Sequence, residues 1–205
     1  MTYENLHRPL YGADVLANAL NNYPDLPLLR QLEGPTLTVR EMRDETSRYM
    51  QALQSVGVTP DSCVSMLASN LPETLHIGHA TSMIPVLSVP IHAMSSLADQ
   101  LNIVRDAKVD VLIFEAERFE KAAADIKAAE PEITLLAVGP SEIASDIRKL
   151  AASFAPKKLV PPVIRFMTQA TSSAEMMPAK YRTNSTSPCR LNQPMLCAGM
   201  KAAIS

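Results

Sequence analysis

Three short apolar runs separated by segments of helical period occupy residues 62–115. Cys63-Val64-Ser65-Met66-Leu67-Ala68 is long enough for one buried strand, Val86-Leu87-Ser88-Val89-Pro90 for a second, and Val109 to Phe114 for a third. Strands that alternate with helices of this length pair in parallel, because a parallel partner is reached only through a long crossover.

The same alternation extends to both sides. Asp14 to Asn22 places Val15, Leu16, Ala19 and Leu20 at helical spacing and stops at Asn21-Asn22 and Pro24. Leu28 to Leu32 and Thr36-Leu37-Thr38 read as a hairpin turning at Glu33-Gly34-Pro35. Thr38-Val39-Arg40-Glu41 is a capping box, in which the Thr hydroxyl takes an N–H of the first turn and Glu41 reaches back. The helix it opens carries Met42, Thr46, Tyr49, Met50 and Leu53 on one face, with Gly57 where a left-handed residue closes it. After the first strand, Asn70 is the expected cap of a helix that has Pro72 and Glu73 in its first turn and runs to about Met83. Ser96 caps the next, with Leu101, Val104 and Ala107 inward. Glu117 to Ala129 buries Phe119, Ala122, Ala123 and Ile126. Ile133 to Val138 is a fourth strand, and Ser141 to Phe154 a last helix with Ile143, Ile147 and Leu150 aligned. The expected fold is α/β, a mostly parallel sheet with flanking helices joined by right-handed crossovers.

Composition changes this picture at one place. The chain is 47% apolar and 20% charged, which is globular usage. After Ile164-Arg165, however, Glu175 is the only acidic residue, there is no Val, and Ser, Thr, Asn, Gln and Pro dominate without any period. Residues 1–165 are therefore expected to form the α/β domain and residues 166–205 a disordered tail. The tail reads either as a flexible segment or as translation in a shifted frame.

A net charge of −2 with no basic cluster argues against a nucleic-acid partner. The start, Met-Thr-Tyr-Glu-Asn, does not read as a signal peptide, and no run approaches the ~20 apolar residues of a spanning helix. Cys63, Cys189 and Cys197 have neither metal-ligand spacing nor an even disulfide count, which suits a reducing, cytoplasmic setting. Cys63 is expected to be a core thiol, and Cys189 and Cys197 exposed ones.

Few side chains are candidates for chemistry. His76 and His79 share a helix face at i, i+3 but lack a third ligand, so no metal site is expected and both read as surface or interface histidines. His92 lies just past a strand end, where open parallel sheets bind ligands. No Gly-x-Ser-x-Gly elbow or Gly-rich dinucleotide turn is present. No catalytic residue is assigned.

The order of these pieces resembles the adenylate-forming enzymes, the acyl-CoA synthetases and their relatives. Thr36-Leu37-Thr38-Val39-Arg40-Glu41-Met42 is similar to their "TLTYAEL" opening, and Leu53 to Asp61 to their "L…GV..GD" turn. Val64 to Asn70 with Pro72-Glu73 resembles the strand and "N.PE" helix start. Val89-Pro90-Ile91-His92 falls at their "VPL" strand end, and Asp106 to Ile113 at "DSGAKVLI". The resemblance implies a fatty-acid or other acyl-CoA ligase, in which ATP activates a carboxylate to an acyl-adenylate before transfer to coenzyme A. For the full-length family it implies ATP, Mg and coenzyme A.

This sequence departs from that pattern twice. The Ala-Gly pair that precedes "VPL" is replaced around Ile84-Pro85. The phosphate loop expected just after residue 165 reads Thr168-Gln169-Ala170-Thr171-Ser172-Ser173-Ala174-Glu175, then Pro178 and Lys180. It holds hydroxyls but no glycine, and Glu175 would oppose phosphate charge. Family members are more than twice this length, so the sequence is expected to be a truncated, inactive fragment with no cofactor of its own. The alternative is a non-catalytic interaction module using an exposed sheet edge and apolar surface, through which it would also self-associate.

Overall fold

The structure, a computed structural model, describes residues 12–30 and 34–161. Helix α1 (Gly12–Asn22) leads into a hairpin of β1 (Pro27–Arg30) and β2 (Thr36–Thr38), paired antiparallel. Helix α2 (Val39–Ser55) follows directly. Then come β3 (Cys63–Leu67), α3 (Pro72–Met83), β4 (Leu87–Pro90), α4 (Leu97–Ala107), β5 (Val111–Glu115) and α5 (Ala116–Ala129). Strand β6 (Thr134–Val138), the short β7 (Ser145–Asp146) and α6 (Ile147–Ala152) complete the described part.

The larger sheet has the order β4-β3-β5-β6-β7 and every pairing in it is parallel. From β3 the chain first steps outward to β4, then returns across β3 to β5 and continues through β6. Crossovers of one hand that run in opposite directions along a sheet lie on opposite faces. Accordingly α2, α3 and α6 pack on one face, where Tyr49, Leu53, Ile77, Ala80 and Ile147 meet Val64, Val111, Ile113 and Leu136. Helices α4 and α5 pack on each other. A second cluster joins α1 (Ala13, Ala17, Leu20) to Val39, Met42, Met83 and Leu159.

Local chemistry explains most element ends. Thr38 and Glu41 form the reciprocal capping box, with Glu41 accepting from the Thr38 N–H at 2.7 Å. Gly57, at φ +91°, takes the left-handed turn after α2. Ser96 caps α4 by accepting from the Asp99 N–H. Pro90, which has no N–H to donate, sits at the end of the edge strand β4.

Three expectations need correction. The buried face of α1 is Ala13, Ala17 and Leu20, while Val15 is exposed, because α1 turns small residues toward α2 and α3. Asn70 does not cap α3. The cap position is Leu71, without a side-chain bond, and Pro72 opens the helix. The single helix expected over 141–154 is instead β7 followed by a six-residue α6, with Ile143 exposed. Asp146 decides that boundary: its carboxylate accepts from the N–H groups of Gly139 and Arg148, so the chain is pinned beside β6 before the helix begins. Gln100 is buried on α4, and its side-chain amide donates to the Ser95 carbonyl.

The tail residues 166–205, with Cys189, Cys197 and the 168–180 stretch, lie outside the described residues.

Candidate functional site

In an open parallel sheet the place to look is beyond the carboxyl strand ends, where the connections of neighbouring strands depart to opposite faces. Here that place is between β3, whose chain leaves into α3, and β5, whose chain leaves into α5. It is spanned by Glu115. This carboxylate is buried and accepts from the Ser69 N–H at 2.9 Å and from the Ser69 hydroxyl at 2.5 Å. The last residue of β5 thereby ties down the loop that follows β3. Sequence reasoning passed over Glu115 as the end of an apolar run; an acid closing such a run, where the neighbouring strand carries a Ser just past its end, was the available signal.

Next to this tie, two grooves flank the start of α3. One, of about 500 Å³, lies between Leu29 and Arg30 of β1 and Leu71, Pro72 and Leu75. The other, of about 210 Å³, shares Leu29 and Pro72 and continues toward Glu45, Tyr49, Glu73 and His76. One end of the pair therefore holds a guanidinium and the other two carboxylates.

His76 is not a surface residue. It is 5% exposed and stacks on Tyr49, with ring centroids 5.7 Å apart and planes 19° apart. Its Nδ1 and that of His79 are buried without a hydrogen-bond partner. Burial pushes both imidazoles below their ordinary pKa. Glu45 and Glu73 oppose the shift at His76, and His79 adds to it. Burial likewise pushes the Tyr49 phenol well up. His76 is a packing element between α2 and α3. Among the described residues no cluster of His, Cys, Asp and Glu has the makings of a metal site.

His92 does stand past the end of β4, exposed on the loop before α4. Its Nδ1 accepts from the Met94 N–H at 3.2 Å and its carbonyl from the Ser95 hydroxyl at 2.6 Å. It shapes that turn and is not assembled with His76 or His79. Cys63 is fully buried in β3, as a core thiol should be, and its N–H donates to the Asp110 carboxylate at 2.6 Å.

The strand-end crevice is not built to take the phosphates of ATP. At the strand-end crevice the hydroxyl of Ser69 is already committed to Glu115, and that carboxylate would repel a phosphate. Among the described residues the glycines with positive φ, Gly57 and Gly139, serve turns after α2 and β6. A Cβ on Gly139 would come within 3.5 Å of that of Ala116.

Comparison with known proteins places this architecture. The chain is 29% identical over 164 residues to the medium/long-chain-fatty-acid–CoA ligase FadD8 of Mycobacterium tuberculosis, covering 77% of this chain and 28% of that protein. It is 27% identical over 142 residues to the fatty acid–[acyl-carrier-protein] ligase ScoC of Streptomyces coeruleorubidus, covering 68% and 27%. It thus spans under a third of the length of either relative. Among solved structures, the anthranilate CoA ligase AuaEII superposes with a TM-score of 0.65 at 20% identity, over 76% of this chain and 29% of that one. The family description "AMP-binding enzyme" matches residues 16–184, through the whole α/β sheet and into the stretch beyond it. The chain belongs to the AMP-binding, adenylate-forming enzymes, and it carries the N-terminal part of their fold.

Proposed function

We propose that these residues supply the N-terminal scaffold of an ATP-dependent acid–thiol ligase, and that the 205 residues do not activate an acid alone. The substrate class of the whole protein is a fatty or other carboxylic acid, to be adenylated and passed to coenzyme A. The names of the two curated relatives support that class. The observation that carries the second half of the proposal is the sequence at 168–180. The family match runs across it, yet it offers no glycine to let backbone N–H groups close on a phosphate, and it carries Glu175. Glu115 is a carboxylate at the strand ends of the described sheet, where open parallel sheets bind ligands.

The reading includes a division at about residue 165, a cytoplasmic setting and no nucleic-acid partner. No helix among the described residues is long and apolar enough to cross a membrane. ATP–pyrophosphate exchange by the purified chain, with mixed medium- and long-chain acids, tests the proposal. Acid-dependent exchange would overturn it. The coding DNA beyond codon 165 tests the frame: a Gly/Ser/Thr-rich loop with Lys in another frame would establish a shift, and its absence would leave a native tail.

A second reading, a non-catalytic interaction module, draws on one observation. Among the described residues strand β4 has no partner on its outer side, and Leu87, Met94 and Leu97 stand exposed on and after it. A monodisperse chain that captures one defined partner in proportion to its β4 edge would favour that reading.

A further inference from the structure

The irregular segment that follows α6 is strapped to the first two helices by three polar side chains. Gln51 of α2 donates to the Ala155 carbonyl at 2.8 Å, Ser47 of α2 accepts from the Lys157 N–H at 2.8 Å, and Asn21 of α1 donates to the Leu159 carbonyl at 2.9 Å. Pro156 restricts the backbone between these bonds, and Leu159 is buried in one cluster with Leu20 and Met42. The straps set the backbone of 155–159 in place, and Lys157 and Lys158 stand exposed on it. Among the described residues neither ammonium has an ion pair or a hydrogen bond.

The two lysines line a groove of about 380 Å³ together with Asn21, Asn22, Arg43 and Asp44. That volume is within the ~300–1,000 Å³ range of binding clefts. Three cations line it against one carboxylate, on a chain whose net charge is −2. Asp44 engages Arg43 through a single oxygen, which accepts from Nε at 2.8 Å and from Nη2 at 2.6 Å. The carbonyl oxygen of Asn21 is buried and accepts nothing among the described residues. The groove therefore combines cations that lack an anion with acceptors that lack a donor. A bare anion answers the first need only, since it has no N–H to give. An acidic peptide answers both, with carboxylates for the cations and backbone N–H groups for the acceptors.

We propose that this groove docks a short acidic segment of a partner protein, its carboxylates on Lys157 and Lys158 and a backbone N–H on the Asn21 carbonyl. The straps hold the segment bearing both lysines before the partner arrives, so little backbone ordering is left to oppose binding. No aromatic side chain lines the groove to stack a base, which disfavours single-stranded nucleic acid. The groove shares no lining residue with the two beside the start of α3. The inference goes beyond the proposed scaffold role: failure to bind a peptide would leave that role untouched, and peptide binding would not revive adenylation.

The experiment titrates the full chain, at about 0.15 M salt, with a short blocked peptide of alternating aspartate and glutamate, followed by amide and side-chain NMR shifts. Its asparagine–glutamine counterpart, tripolyphosphate and a single-stranded oligonucleotide of equal charge are the comparisons. The acidic peptide is expected to shift the amides of Lys157 and Lys158 and the side-chain N–H groups of Asn21 saturably, and the neutral peptide to shift none of them. Replacing both lysines, Lys157→Gln with Lys158→Gln, should weaken the acidic peptide about tenfold, the loss of two exposed charge pairs. Lys158→Glu should abolish binding. Both side chains are exposed and unbonded among the described residues, so each variant folds as the parent does, and unchanged shifts at Tyr49 check this. Equal affinity for tripolyphosphate or the oligonucleotide, an unaffected double variant, or shifts spread away from the groove would overturn the proposal.

Discussion

The imidazole of His76 lies nearly parallel on the ring of Tyr49, 5.7 Å between centroids, and couples α3 to α2 through two buried side chains. The arrangement holds only a neutral imidazole comfortably, because burial penalises its charged form more than Glu45 and Glu73 favour it. The unfolded chain has no such restraint. As pH falls through the ordinary histidine value of 6.5, the unfolded state takes up a proton that the folded state refuses. Stability is therefore full above that value and declines below it, and His79 contributes in the same direction. We expect the urea midpoint to fall between pH 7.5 and pH 5.5, both values marking the window about the ordinary histidine pKa. His76→Phe keeps a stacked ring and removes the orphaned Nδ1. It should flatten the decline and raise stability at neutral pH by about 1 kcal/mol, the low end of the cost of an unsatisfied buried group. A midpoint equally pH-dependent in this variant would show that the titration lies elsewhere.

Glu115 and Ser69 make a second testable joint. Removing the carboxylate leaves the Ser69 N–H and hydroxyl without their acceptor at a half-buried site. Glu115→Ala should destabilise the chain by about 2–3 kcal/mol, and Glu115→Gln, which keeps one acceptor, by about 1 kcal/mol. Chemical denaturation measures both. The Ala variant should also speed hydrogen exchange in the 68–71 loop before the rest of the sheet opens.

Pro85 tests a departure read from the sequence. It follows the end of α3 and holds φ at +28°, although its ring prefers about −65°. The family places a small residue in this neighbourhood, and the backbone here takes a conformation that favours glycine. Replacing Ile84-Pro85 by family usage therefore means Pro85→Gly, which should stabilise the chain by about 1 kcal/mol, strain relief outweighing glycine entropy. Thermal unfolding would register this as a raised Tm; a lowered Tm would mean that the proline is accommodated.

What the sequence disclosed depended on how local the cause was. The capping box of Thr38 and Glu41, the left-handed Gly57, the Ser96 cap and the three strand runs of 62–115 are each determined within a few residues, and each stands where expected. Leu71 displaced Asn70 as the cap because Pro72 fixes the first helical position regardless of the better hydrogen-bonding side chain two residues earlier. The split of 141–154 was hidden because Asp146 bonds back to Gly139, across a turn that no helical period records. At the strand-end crevice the failure was one of partnership. Glu115 and Ser69 are far apart in sequence, and only the adjacency of β5 and β3 joins them. His76 escaped for the same reason, its burial depending on Tyr49 from another helix.

The central claim is that the chain has the family's scaffold without its grip on phosphate. Equilibrium dialysis of the purified 205-residue chain against MgATP tests it most directly, because it needs neither the acid nor coenzyme A. The account predicts no saturable binding at cellular nucleotide levels, and none restored by adding a fatty acid. Saturable, stoichiometric ATP binding would contradict it.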